Sequence, residues 1–168
     1  EQFGSGLLLR SYEERSLGID NSLDGIRIRY KPYKGIYLKG AIGQQRFFFD
    51  KGEGIVRGLD GEINLNEFNN KWAASKLKVT VGGSFVSKYQ ADRDPIYNLP
   101  QNVGGWAART TLIYGNWMLN GEYAHKVNDP STVNKMIYKP GEALFTSLSY
   151  SKKGFGITLS AKRIDNMN

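Results

Sequence analysis

Few residues in this sequence are of a type that can do covalent or metal chemistry, and their spacing decides what each can do. His125 is the single histidine, with Asp129 four positions on and Ser131 just beyond. A Ser, His and Asp set is the minimum for nucleophilic hydrolysis, but the reaction also needs hydrogen-bond donors placed at the developing oxyanion. His125 stands where a strand runs into a loop and nothing nearby supplies those donors, so the chain is not expected to be an enzyme. Asp20 and Asn21 with Asp24, Asp50 with Glu53, and Asp92 with Asp94 offer the hard oxygen ligands that calcium takes. None has the spacing of a calcium loop, so they read as solvated turn residues, and neither a metal nor a cofactor is expected. The stretch G-E-G-I-V-R-G, residues 52–58, lacks the Lys-Ser/Thr and following helix of a phosphate cradle. With Cys at 0, no disulfide or thiolate metal centre can form.

What remains is the chemistry of a charged face. Lys and Arg number 23 against 16 Asp and Glu, giving a formal net charge of +7, and these charges are scattered rather than gathered in blocks. Without a basic helix or a binding motif, such a balance does not call for nucleic acid. It suits an anionic lipid or an anionic solute. Many of the charges alternate with apolar residues. Arg27 and Arg29 oppose Ile26, Ile28 and Tyr30, and Lys78 opposes Leu77 and Val79. By the same parity Lys39, Glu62, Arg109, Glu122 and Lys162 stand opposite apolar partners, because side chains of a strand point alternately to its two faces.

The elements that must carry this face are strands. Alternation is cleanest over 76–88, and the stretch 106–126 reads as a hairpin about Gly115-Asn116, a pair that accepts the positive φ of a tight turn. Further strands are expected over 3–10, 23–30, 36–42, 59–65, 143–150 and 155–163, about nine in all, with parity broken by a bulge at 44–47. The connections 11–22, 49–57, 89–104 and 127–141 are long. Those at 31–35, 115–116 and 151–154 are short, and 66–75 is intermediate, its W-A-A-S able to make one helical turn. Long connections on one side and short ones on the other are the arrangement of outer-membrane barrels.

Aromatics gather at the short side: Tyr30 and Tyr33, Phe68 and Trp72, Tyr114 and Trp117, Tyr150 and Phe155. Amphipathic rings favour the headgroup zone, so these form one expected girdle, with Phe47, Phe85, Trp106 and Tyr123 forming a second at the far strand ends. The mean hydropathy is -0.46, and no run approaches the roughly 20 apolar residues of a spanning helix, which leaves strands as the only means of crossing a bilayer.

The expected fold is therefore an all-β, antiparallel up-and-down transmembrane β-barrel in a single domain, placed in a bacterial outer membrane as a pore, transporter or structural subunit. Arg27, Arg29, Lys39, Glu62, Lys78, Arg109, Glu122 and Lys162 would line its lumen, either knitting it together or facing an anion-preferring, water-filled pore. Its partners would be outer-membrane lipid and other outer-membrane proteins, with the solute undefined. Two rivals stand beside this: a soluble ligand-binding β-barrel with its apolar face turned inward, and an accessory subunit of an outer-membrane secretion or surface-assembly complex.

The phrases E-Q-F-G-S-G-L-L-L-R-S-Y-E-E-R (1–15), F-F-F-D-K-G-E-G-I-V-R-G-L-D-G-E (47–62), G-G-S-F-V-S-K-Y-Q-A-D (82–92), H-K-V-N-D-P-S (125–131), Y-K-P-G-E-A-L (138–144) and S-A-K-R-I-D-N-M (160–167) carry a likeness over nearly the whole chain. In them the sequence resembles a family of outer-membrane β-barrel proteins of unknown function from Bacteroidetes-type bacteria. The resemblance implies location and architecture, and no functional residues. Members of that family are longer, which implies that this chain is an internal portion of a larger barrel; an odd count of about nine strands agrees, since bacterial barrels close with an even number.

Overall fold

Segments that alternate strictly between apolar and polar residues can bury or expose one face as a unit, and these segments become the strands. The structure is a computed structural model that describes residues 2–47, 50–91, 96, 99–127 and 135–167. Two short strands come first, β1 (Tyr12–Glu14) and β2 (Ile19–Asn21). The long strands follow: β3 (Leu23–Tyr33), β4 (Ile36–Phe47), β5 (Asp50–Asn64), β6 (Leu77–Tyr89), β7 (Asn102–Tyr114), β8 (Trp117–Val127), β9 (Gly141–Lys152) and β10 (Phe155–Asp165). Each long strand pairs antiparallel with its neighbours in the chain, giving one eight-stranded meander with β3 and β10 at its edges. The fold is all-β and antiparallel, as the alternation requires. The hairpin of β7 and β8 turns at Gly115-Asn116 as expected, Tyr114 pairing with Trp117 and Gly115 at φ +57.

Several expectations are corrected. Residues 3–10 are not a strand. Gly4 and Gly6 adopt positive φ, which only glycine takes without strain, and they fold the segment into a closed loop. Gly6 N–H donates to Phe3 O at 2.9 Å and Phe3 N–H to Leu9 O at 3.1 Å, while Gln2 bridges Arg10. The stretch 11–22 is not merely loop, since β1 and β2 pair within it. Nor is 49–57 a long connection. From Asp50 it belongs to β5, with Arg46 against Lys51 and Ile55 against both Gln44 and Tyr89. Neighbouring strands satisfy that glycine-rich backbone, so pairing overrides its low strand propensity. The bulge expected at 44–47 is present as a register shift between Gln44 and Arg46.

The intermediate connection holds two one-turn helices, α1 (Leu65–Phe68) and α2 (Asn70–Ala73), N-capped by the side chains of Asn64 and Asn69. They dock on the β3–β4 turn, where Gly35 leaves no room for a Cβ against Phe68 N and Asn64 O. The main sheet thus has eight strands among the described residues, an even number and not the odd count expected.

The two faces differ in character. One carries Ile26, Ile28, Leu59, Phe85, Leu144 and Leu159, all exposed. The other is covered by the N-terminal segment and buries Asp60, Ser84, Glu122 and Ser147 beside Ala107, Ala124 and Ala143. Most of the small core therefore lies on the polar, covered side of the sheet, with Val79 buried on the other side.

Candidate functional site

On the covered face, strand register stacks charged residues into rows across the sheet. One row runs Arg29, Lys39, Asp60, Ser84, Ala107, Ala124 and Ala143; the next runs Glu62, Gly82, Arg109 and Glu122. Their meeting point is Asp60, which is 1% exposed. Its Oδ1 accepts from Arg109 Nη1 at 2.7 Å and from Ser84 Oγ at 2.6 Å, and Lys39 Nζ lies 3.6 Å from its Oδ2. Arg109 also donates to Ser84 Oγ at 2.9 Å and, through Nη2, to Glu62 Oε2 at 3.3 Å. A guanidinium suits this place because its planar fork can hold two carboxylates and a hydroxyl together. Gly82 opposite makes the posture possible, since a Cβ there would stand 2.8 Å from Arg109 Cζ.

Glu122 is held differently. Its Oε2 accepts the Ser5 N–H at 2.6 Å, and Gly4 lies so close that a Cβ would be 2.6 Å from the same oxygen. Oε1 is buried with no hydrogen-bond partner among the described residues. Phe3, 1% exposed, rests on Gly58 of β5, where a Cβ would come within 2.4 Å of its ring. Leu7 and Leu8 pack on the alanines of β7, β8 and β9, and Met167 joins them from the chain's other end. The N-terminal segment is thus a strap laid over the middle of the charged face.

All eight residues expected to line a lumen share this face by register. The structure brings Lys39, Glu62 and Arg109 together around Asp60 and places Glu122 under the strap. Arg27 and Arg29 lie toward the edge on β3, Lys162 on the edge strand β10 and Lys78 at the short-turn end of β6, outside the Asp60 cluster. Asp60 and Ser84 are not among the expected lining residues, although they share the parity of Glu62 and Gly82. The strap's role had no signal, because L-L-L reads as a strand.

On the opposite face the aromatics form two bands. Near the short turns Trp117 meets Tyr150 at 4.8 Å between ring centroids, Tyr150 meets Phe155 at 6.3 Å, and Tyr33 meets Phe68 at 6.0 Å; Tyr30, Trp72 and Tyr114 are exposed there too. At the far end Phe85 pairs in register with Trp106, which meets Tyr123 at 5.6 Å. The side chain of Phe47 lies outside the described residues. His125 is on this face, beside Trp106 and 3.8 Å from Glu142 Oε1. Asp129 and Ser131 lie outside the described residues, as do Asp92 and Asp94.

The remaining acids have local partners. Asp20 lies 3.3 Å from Arg46, and a hydrogen bond from the Ser22 hydroxyl holds its carboxyl below the ordinary Asp value. Asp24 pairs with Lys51, and Asp50 accepts the Lys51 N–H at 2.7 Å. Among the described residues no three His, Cys, Asp or Glu side chains are grouped to hold a metal ion.

The profile of a family described as "Family of unknown function (DUF6029)" matches residues 1–168. No curated protein and no solved structure matches the chain.

Proposed function

We propose that this chain, which belongs to the DUF6029 family, supplies the wall of an outer-membrane β-barrel, its apolar face to lipid and its strapped, charged face to the lumen. One observation carries the reading. From Trp106 to Tyr114, from Trp117 to Tyr123 and from Leu144 to Tyr150, the face away from the strap bears no charged side chain, and aromatic residues stand at its margins. A Lys or Arg at the midplane of that face would cost about 2 to 4 kcal/mol in lipid, so its absence is what a bilayer selects. Trp106 through Tyr114 is nine residues, within the roughly 9 to 11 of a tilted spanning strand.

A soluble ligand-binding barrel would hold its apolar side chains inward, whereas here Ile28, Leu59, Phe85 and Leu159 are exposed on the face opposite the strap. The lumen is net basic across its eight named residues, with Glu62 and Glu122 the only acids among them, and this favours anions if solute passes. Closure of the barrel needs antiparallel partners for β3 and β10, supplied by further strands or by each other. Fractionation of cells expressing the native protein tests the reading: recovery in detergent-extracted outer membranes supports it, and recovery in the soluble fraction without detergent ends it. Planar-bilayer recording then separates pore from structural subunit, and a cation-selective conductance would refute the basic lumen.

A further inference from the structure

The strap is built to move as one piece. Its backbone hydrogen bonds close on itself, Gly6 N–H donating to Phe3 O at 2.9 Å and Phe3 N–H to Leu9 O at 3.1 Å, with Gln2 bridging Arg10. Lifting the strap from the sheet breaks none of these. Downstream, Ser11 Oγ accepts the Leu23 N–H at 3.0 Å and ties the chain to the start of β3, which makes Arg10 and Ser11 the hinge. The seat is a trough of small residues. Register sets Gly58 of β5 and Gly105 of β7 in one row, and Ala107, Ala124 and Ala143 of β7, β8 and β9 in the next. Phe3 takes the space of a side chain at Gly58, Leu8 Cδ2 lies 3.0 Å from where a Cβ of residue 105 would stand, and Leu7 and Leu8 pack on the alanines. The trough crosses the strands at mid-height, since Glu122, held by the Ser5 N–H, is the central residue of β8.

Two effects of opposite sign act on the seated strap. Covering Phe3, Leu7 and Leu8 favours it. Against it, Glu122 Oε1 is buried with no hydrogen-bond partner among the described residues, while Arg109, its partner in register, directs its guanidinium to Asp60 and Glu62. That oxygen regains water when the strap lifts. A self-contained unit on a hinge, held by opposing effects, is a two-state element.

We propose that the strap is the gate of the lumen: seated, it obstructs the passage at mid-height, and lifted as a unit about Arg10 and Ser11 it opens the passage and bares Glu122. The gate rests on the barrel reading above and supplies its regulation.

Single-channel recording of the full native protein in planar bilayers tests it, with thiol labelling in detergent alongside; Cys is 0 in this sequence, so introduced cysteines report alone. The parent should switch between a low and a high conductance level. Phe3→Ala should raise the ratio of high to low by about two orders of magnitude, the equilibrium equivalent of losing a buried ring. Glu122→Gln, which keeps an acceptor for the Ser5 N–H and removes the buried charge, should lengthen the low-level dwells. An L8C/A107C variant bridged by a bis-methanethiosulfonate should stay at the low level until dithiothreitol releases it. In detergent, the A124C thiol, at a position 0% exposed, should react faster by the same factor once Phe3→Ala is added. Conductance unaltered by Phe3→Ala and by the bridge, with A124C labelling accelerated, would overturn the gate and leave the pore standing. No conductance in any variant, with labelling still accelerated, would overturn the pore itself and the gate with it. Labelling unchanged by Phe3→Ala would show that the strap does not lift, and the proposal would fall on that alone. Should Phe3→Ala fail to fold, as judged by circular dichroism, the bridged variant before and after dithiothreitol decides.

Discussion

Replacing Arg109 with Met should expose how much the charged cluster contributes. The substitution keeps an unbranched stem out to about the position of Nε and removes the guanidinium that spans Asp60 at 2.7 Å, Ser84 at 2.9 Å and Glu62 at 3.3 Å. Asp60, 1% exposed, would keep its Ser84 hydrogen bond at 2.6 Å and Lys39 at 3.6 Å, so its charge would be poorly compensated. Breaking a buried pair from one side costs about 3 to 5 kcal/mol, and because Lys39 remains, the lower end applies, about 3 kcal/mol. Removing both partners in a D60L/R109M variant leaves no buried carboxylate at that position, and Lys39, about a third exposed, can stay hydrated. That double variant should lie within about 1 kcal/mol of the parent. Urea unfolding in detergent, followed by tryptophan fluorescence, gives the four corners of the cycle. Equal destabilisation of R109M and the double variant would show that Asp60 does not depend on Arg109, and the reasoning would fail.

Phe3→Ala should cost about 3 kcal/mol locally and undock the strap while leaving the sheet paired. Hydrogen exchange at the Ser5 and Gly6 amides should then quicken by roughly two orders of magnitude, and unchanged protection would count against the docking described. Gly58→Val should have the same effect from the other side, since its side chain would occupy the space of the Phe3 ring. A carboxyl NMR titration should place the Asp20 midpoint below the ordinary 3.8. A folded pKa that is depressed contributes stability present above the unfolded value and lost as pH falls through the folded one, so the β1–β2 pair should loosen as acidification proceeds from the ordinary value down to that midpoint. In bilayers, phospholipids brominated near the headgroup should quench Trp106 and Trp117 more than lipids brominated at the acyl terminus; the reverse order would contradict the aromatic bands.

The hairpin of β7 and β8 was legible because local turn chemistry and alternation agreed, and the same holds for β6, β9 and β10. Arg109 and Glu122 could be assigned a shared face for that reason. Asp50–Arg57 was misread as loop because its glycines and charges are poor strand formers, and only pairing with β4 and β6 makes that backbone extended. The strap was misread for the opposite reason: Leu7, Leu8 and Leu9 resemble a strand, while the left-handed turns at Gly4 and Gly6 and a carboxylate far along the chain decide otherwise. Asp60 shows the limit at the site. Parity places it on the charged face, but its role as the meeting point follows from the register of β5 with β4, β6 and, one strand on, β7.

The meander also sets an order of events in time. Every pairing in the large sheet joins strands adjacent in the chain, so each closes a loop far shorter than the span from the strap to β8 and can form earlier. The contact of Ser5 with Glu122 spans 117 residues and needs β5, β7, β8 and β9 already in place beneath it. The sheet therefore zips up hairpin by hairpin, and the strap is the latch that fastens last, so a slow final phase in refolding should vanish when Phe3 is removed and remain when Arg109 is.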